Sequence, residues 1–226
     1  MTDFEPAARA AFKSKFMNAE ISGCYFHLGQ SFWRNIQSNR EERRRYKEDP
    51  AFALRAKMFM ALAFVPNEEL HDYWELLLAD VIAKDDGLKE FALDYFQPNY
   101  IGWRLVNGTE APARFPYQTW NMFDRIRQNK PRTNNSIEGW HCAMAKDICA
   151  HPALAKLAKK YHQEQKLKSI QRAHHLDGRI QGSTRTRRKY RMLTRRLVTL
   201  TDRFTAGALL GLPYLEAVAA ATYIPT

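Results

Sequence analysis

Three groups of side chains have the types and spacing to do chemistry: the carboxylates Asp3 and Glu138, the pair Cys24 and His27, and the adjacent His141 and Cys142. Glu138 stands in the run Arg132-Thr133-Asn134-Asn135-Ser136-Ile137-Glu138-Gly139-Trp140-His141. Asn134, Asn135 and Ser136 carry short polar side chains that accept from the free N–H groups of a helix start, so a helix is expected to begin within this run with Glu138 in its first turn. A carboxylate there is either a functional group or a complement to the helix dipole. Asp3 closes a short extended run, where functional side chains project at the edge of an α/β sheet, and it equally suits a helix cap. Cys24 and His27 place a thiol and an imidazole three residues apart. Two ligands are not a zinc site, and His141 with Cys142 would be needed to complete a tetrahedron, so zinc is not expected. A Cys24 nucleophile activated by His27 lacks an orienting third group.

The elements that must position these groups are legible from periodicity. Thr2-Asp3-Phe4 reads as a strand end, and Pro6 opens a helix in which Ala8, Phe12 and Phe16 form a face expected to be buried. Ile21 to Phe26 reads as a buried strand ending at His27, followed by a helix with Leu28, Phe32 and Ile36 inward and an end near Asn39. Alternating strand and helix argue for α/β with a mainly parallel sheet, though two strands do not make a sheet alone. Strands from the N-terminal side of Met1 are therefore expected, or support from elsewhere. Beyond Arg40 the texture is helical. Glu41-Glu42-Arg43-Arg44-Arg45 reads as a solvated turn or helix end. Phe52, Ala56, Phe59 and Ala63 mark one helix face up to Pro66, and Leu70, Trp74, Leu77, Leu78 and Val81 mark the next. A shorter helix is expected over 88–96, an extended crossing over 97–118 with a short strand at 101–106, and a helix over 120–127. His151-Pro152 opens a long helix with Leu154, Leu157, Ala158 and Tyr161 along one side, and a final helix over 213–223 turns Leu215, Val218 and Ala219 inward.

Composition bounds the partners. With 226 residues and 45% hydrophobic content the chain can bury a core, while 35 Lys+Arg against 24 Asp+Glu give a net charge of +11. That excess suits a polyanion. No apolar run approaches the length of a membrane span, so no membrane partner is expected. Cys24, Cys142 and Cys149 form no disulfide framework, which fits a reducing compartment. The steepest asymmetry lies between His151 and Leu200, where fourteen Lys and Arg face only Glu164 and Asp177. Within it Lys156, Lys159, Lys160, Arg185, Arg187, Arg188, Lys189 and Arg191 are candidate DNA-phosphate contacts, the alternative being a solvated helix face. Trp120 and Trp140 could stack on exposed bases or belong to the core.

Taken in order, Thr2-Asp3-Phe4-Glu5, then Gly23-Cys24-Tyr25-Phe26-His27-Leu28-Gly29-Gln30-Ser31-Phe32-Trp33-Arg34, then Met60-Ala61-Leu62-Ala63-Phe64-Val65-Pro66, then Asn134-Asn135-Ser136-Ile137-Glu138-Gly139-Trp140-His141 resemble the second half of a Mutator-like (MULE-type) transposase domain over roughly residues 1–170. The resemblance implies a partial ribonuclease-H-like fold, α/β to mostly α with few strands. It divides the chain into a core segment over 1–39, a helical insertion over 40–130, a third-carboxylate helix and basic helix over 131–176, and a basic helical C-terminal region over 177–226. It implies that Asp3 and Glu138 are the second and third of three carboxylates that hold two Mg²⁺ or Mn²⁺ ions, and that Cys24 and His27 are the family's Cys-x-x-His pair. Carboxylates suit these ions, and paired ions activate the attacking oxygen and steady the leaving one. The family's first Asp, in an Asp-Gly-Thr-Phe-like context, has no counterpart before Asp3; Asp86-Gly87 and Asp177-Gly178 both follow it. The expectation is thus a DNA-binding fragment of a Mg-dependent strand-cleaving enzyme, inactive alone and located in the nucleus, or a domesticated non-catalytic nucleic-acid-binding protein. Self-association is compatible with either.

Overall fold

In the computed structural model the described residues are 1–2, 4–84, 87–104, 109–148, 152–177 and 188–222, with the side chains at 6, 110, 136 and 175 excepted. Helix makes up 76% and strand 3%, so the protein is mostly α. It divides into two compact units, one formed by Met1–Asn134 with Met192–Thr226 and the other by Asn135–Arg191.

The first unit begins where the alternating pattern predicts strands, but the strands are reduced to one parallel bridge between Thr2 and Gly23. Thr2 N–H donates to Ser22 O at 3.0 Å and Cys24 N–H to Thr2 O at 2.9 Å. The strand expected over 21–26 does not extend past this point, because α2 (Tyr25–Ser38) starts immediately after Cys24. Its buried residues Tyr25, Leu28, Phe32 and Ile36 show why: the helical spacing already begins at Tyr25. Gly23 N–H instead donates to Thr119 O at 2.6 Å, and a Cβ at Gly23 would meet the Phe4 ring at 2.8 Å, so a side chain there would displace Phe4.

α1 (Pro6–Lys15) forms as expected with proline in its first turn, yet Phe12 and Phe16 are exposed and stack on each other at 5.8 Å. Of the face predicted to be buried, Ala8 is half-buried while Phe12 and Phe16 stay exposed. The charged run after Asn39 is likewise not a turn but a helix, α3 (Arg40–Glu48). Asn39 caps it, its side chain accepting from the N–H groups of Glu41 and Glu42, and Arg44 bridges Glu41 and Glu48 along its outer side.

The core is built around α4 (Pro50–Ala61), which Asp49 caps and which continues into a 3₁₀ turn over Leu62–Phe64. Buried residues on several sides of it, among them Phe52, Met58, Phe59 and Met60, mark a helix enclosed by its neighbours. α5 (Leu70–Lys84) follows a 3₁₀ turn at Asn67–Glu69 and buries Leu70, Trp74, Leu77 and Val81, the face its spacing predicts. Next comes a π-helix, Phe91–Ile101, longer than the helix expected over 88–96 and continuing through Pro98. The wider turn lets the chain pass a residue that has no N–H to donate. Phe91 and Phe96 place their rings 5.2 and 5.3 Å from that of Phe59, and such ring pairs contribute about 0.5–1.5 kcal/mol each beyond area burial.

Beyond it the chain makes a two-residue antiparallel ribbon, β1 (Trp103–Arg104) with β2 (Glu110–Ala111), and two short helices, α6 (Tyr117–Trp120) and α7 (Phe123–Arg127), where one helix over 120–127 was expected. Asn121 makes the break: its Nδ2 donates to Val65 O at 2.7 Å while its Oδ1 accepts from Phe123 N–H at 2.8 Å. Trp120 is fully buried, as a core tryptophan. α8 (Asn135–Asp147) and α9 (Leu154–Leu176) form the second unit, and α10 (Arg188–Thr205) leads back into the first. α11 (Gly211–Ala221) packs chiefly on α4 and turns Leu215, Val218 and Ala219 inward as predicted, while Tyr214 Oη donates to Phe64 O.

Candidate nucleic-acid interface and carboxylate position

The capping-rich loop produces what its residues dictate. α8 starts at Asn135 and Glu138 falls in its first turn. Just before it, Asn134 N–H lies 3.5 Å from Cys24 Sγ, a weak hydrogen bond that ties the loop to the start of α2. Cys24 is fully buried and is the residue preceding the first turn of α2. Its sulfur therefore holds loop backbone, a structural role that its type alone did not announce. His27 lies within the first turn of α2, partly exposed, its ring 5.8 Å from that of Phe26. His141 and Cys142 are exposed on α8.

Asp3, the other carboxylate of the expected pair, lies outside the described residues, as do Arg185 and Arg187. Among the described residues no group of three or more His, Cys, Asp or Glu is placed to hold a metal ion. Glu138 by itself supplies one carboxylate, short of the donor set that a two-metal centre needs.

The cations sort into two kinds. Lys160 is engaged inside the second unit, 2.7 Å from Asp147 and 3.1 Å from Glu164, and these acceptors raise its pKa from the ordinary lysine value. Trp140 Nε1 donates to the same Glu164 at 2.8 Å, so the tryptophan joins α8 to α9. Lys156 and Lys159 are exposed on α9, beside the exposed apolar residues Leu154 and Tyr161 that the sequence placed along one side of this helix. Arg188, Lys189 and Arg191 are exposed at the start of α10, and Arg195, Arg196 and Arg203 continue outward along it.

α10 separates its two faces cleanly. Leu197, Leu200, Thr201 and Phe204 are buried. At about 100° per residue, Arg188, Arg191, Arg195, Arg196 and Arg203 fall together on the opposite side. Among the described residues none of these five arginines has an ion-pair partner. Sequence counting located the basic tract but missed this separation of faces, and it stopped the candidate set at Arg191.

Two further arginines were not among the sequence candidates, because their partners lie far along the chain. Arg9 Nη2 donates to Thr119 Oγ1 at 2.8 Å, and Arg132 Nη2 donates to Thr194 Oγ1 at 3.1 Å. Burial lowers the pKa of both guanidinium groups from the usual arginine value.

No helix among the described residues is long and apolar enough to cross a membrane. Comparison of the chain with models of protein families, with curated proteins and with solved structures finds no match.

Proposed function

We propose that the protein binds nucleic acid through the outer face of α10. The observation that carries this reading is the row of arginines on α10, opposite a face buried in the core. Helix packing fixes the backbone of the row in place, so only the arginine side chains are ordered on binding. Arginine contacts to phosphate fix position and carry no sequence information, so binding is salt-sensitive and tolerant of sequence.

The origin of the chain is part of the proposal. A partial ribonuclease-H-like domain of a Mutator-like transposase accounts for three features together: a parallel bridge between the Thr2 and Gly23 segments, a helical block after α2, and a carboxylate in the first turn of the helix after that block. On this reading Asp3 and Glu138 descend from metal ligands of a Mg²⁺- or Mn²⁺-dependent DNA strand-cleaving enzyme that works in the nucleus. The described donor set does not complete such a centre, and no metal-dependent step is assigned to it. The reading is of DNA binding, either as a fragment of the enzyme or as a domesticated binder, with strand cleavage assigned to neither.

The test uses the full chain with duplex DNA and Mg²⁺ or Mn²⁺. Salt-sensitive binding is expected, with no nicking or joining of strands. Cleavage that Glu138→Ala abolishes would overturn the non-catalytic reading.

A further inference from the structure

The exposed side of α10 has an internal order that a count of its charges does not show. With about 100° between successive residues, Thr199 and Met192 stand about 20° and 40° round the helix from Arg188, near the middle of the exposed arc. Arg203 and Arg196 stand about 60° and 80° round on the same side, while Arg195 and Arg191 stand about 20° and 60° to the other side of Arg188. Met192 is 58% exposed, and Thr199 is exposed as well. Beyond Arg188 at its head, an uncharged ridge thus runs between two arginine flanks, which extend about 22 Å along the helix from Arg188 to Arg203. The hydroxyl of Thr199 donates to Arg195 O at 3.1 Å, so Met192 and Thr199 offer a base edge no free donor.

Two lines of cations beside an uncharged ridge complement two walls of phosphate beside a floor of base edges. A helix with its side chains is about 10–12 Å across and the major groove of B-form DNA is about 12 Å wide, whereas the minor groove, at about 6 Å, is too narrow for it. The deep, narrow major groove of A-form RNA excludes it too. A single strand has one line of phosphates, and proteins that bind it without sequence preference stack its bases on aromatic side chains. The arginine face of α10 has no aromatic residue: Tyr190 stands about 160° round from Arg188, and Phe204 is buried. Asp202, the one carboxylate of α10, is exposed beyond Arg195 on the same flank and repels phosphate there, so contact on that flank ends at Arg195. Every residue from Arg188 to Met192 is exposed, which suits entry by the N-terminal part of the helix, the part that recognition helices use.

We propose that α10 lies in the major groove of B-form duplex DNA, with Met192 and Thr199 toward the base edges and its two arginine flanks against the phosphates of the two strands. The proposal deepens the nucleic-acid reading and rests on it, naming the form of nucleic acid that the face accepts. Because the ridge offers no free donor, the fit is to the shape of the groove and stays tolerant of sequence.

The experiment measures binding of the full-length protein to duplex DNA, single-stranded DNA and duplex RNA of equal length across a salt series. Duplex DNA should bind tighter than either of the others by about tenfold or more at the same salt. A duplex whose cytosines carry a bulky sugar on C5, which fills the major groove, should bind more weakly, and a minor-groove-binding polyamide should leave binding to the unmodified duplex unchanged. Arg195→Gln and Arg196→Gln, on opposite flanks, should each lower the slope of log affinity against log salt by about 0.9 with duplex DNA, and by about 1.8 together. Salt-sensitive binding that is equal for the three nucleic acids overturns the groove proposal and leaves the nucleic-acid reading standing. Binding that the polyamide abolishes and the sugar does not, or a slope that responds to one flank alone, also overturns it. A wild type that binds none of the three sinks the nucleic-acid reading and the groove proposal with it.

Discussion

At the scale of single residues, a buried carboxyl on α3 couples the fold to pH. Glu42 on α3 is 7% exposed; its Oε1 accepts from Asn39 Nδ2 at 3.1 Å while Oε2 is buried without a partner. Burial, with the charge of Glu90 adding to it, pushes the carboxyl up to about 7, against the opposing hydrogen bond from Asn39. The folded-state pKa is thus above the unfolded value, so the fold favours the protonated form. The stability this contributes is fully present below about pH 4.5, the ordinary glutamate value, and is lost as pH rises through about 7. Glu42→Gln keeps the hydrogen-bonding shape without the charge. Its melting temperature should exceed the wild type's at pH 8 and differ little at pH 4.5. An equal difference at both pH values would show that the carboxyl does not titrate in this window. Glu138 marks the other side of residue-scale reasoning: its place in the first turn of α8 follows from Asn134, Asn135 and Ser136 alone, but its role depends on which carboxylates share its surroundings.

At the scale of elements, one helix can carry two functions when its faces differ. α10 holds Leu197, Leu200 and Phe204 in the core, so changes on its outer face should leave the fold intact. Replacing Arg188, Arg191 and Arg195 together with Gln should reduce the salt dependence of DNA binding by about 0.9 in log–log slope for each phosphate that the variant leaves unneutralised, with the melting temperature nearly unchanged. An unchanged slope, measured by fluorescence anisotropy across a salt series, would place the DNA elsewhere. α1 makes the opposite point. Its spacing is that of an amphipathic helix, and yet Phe12 is 51% and Phe16 57% exposed, because periodicity reports that a helix has an apolar face and not that a neighbour covers it.

At the scale of the whole molecule, the two units differ in how much they bury. The first contains a continuous hydrophobic core that includes Phe32, Phe59, Trp74, Phe96 and Tyr214. In the second, Met144 is the buried apolar side chain among the described residues, and Leu154, Tyr161, Leu167, Ile170 and Leu176 are exposed. Few buried apolar neighbours mean a low free energy of local opening. Amide hydrogen exchange should therefore be fast in α8 and α9 and slow in α4 and α11. Equal protection across these four helices would contradict the contrast in burial.

The sequence by itself determined the features that depend on neighbours in the chain. Capping residues placed Glu138 in a first turn, Pro6 opened α1, and the spacing of Leu70, Trp74, Leu77 and Val81 and of Leu215, Val218 and Ala219 gave the buried faces of α5 and α11. Charge counting found the basic tract, since net charge needs no coordinates. Tertiary structure decided whatever depends on partners distant along the chain. The apolar run over 21–26 suits a strand or a buried helix start, and only the bridge from Thr2 with the hydrogen bond to Thr119 fixed one strand residue and released the rest into α2. Lys160 and Lys159 are adjacent and chemically alike, yet Asp147 and Glu164 engage the first of them. Arg132 is one more arginine in a loop until Thr194, 62 residues on, accepts from its guanidinium, because burial is a property of what surrounds a charge and not of the charge itself.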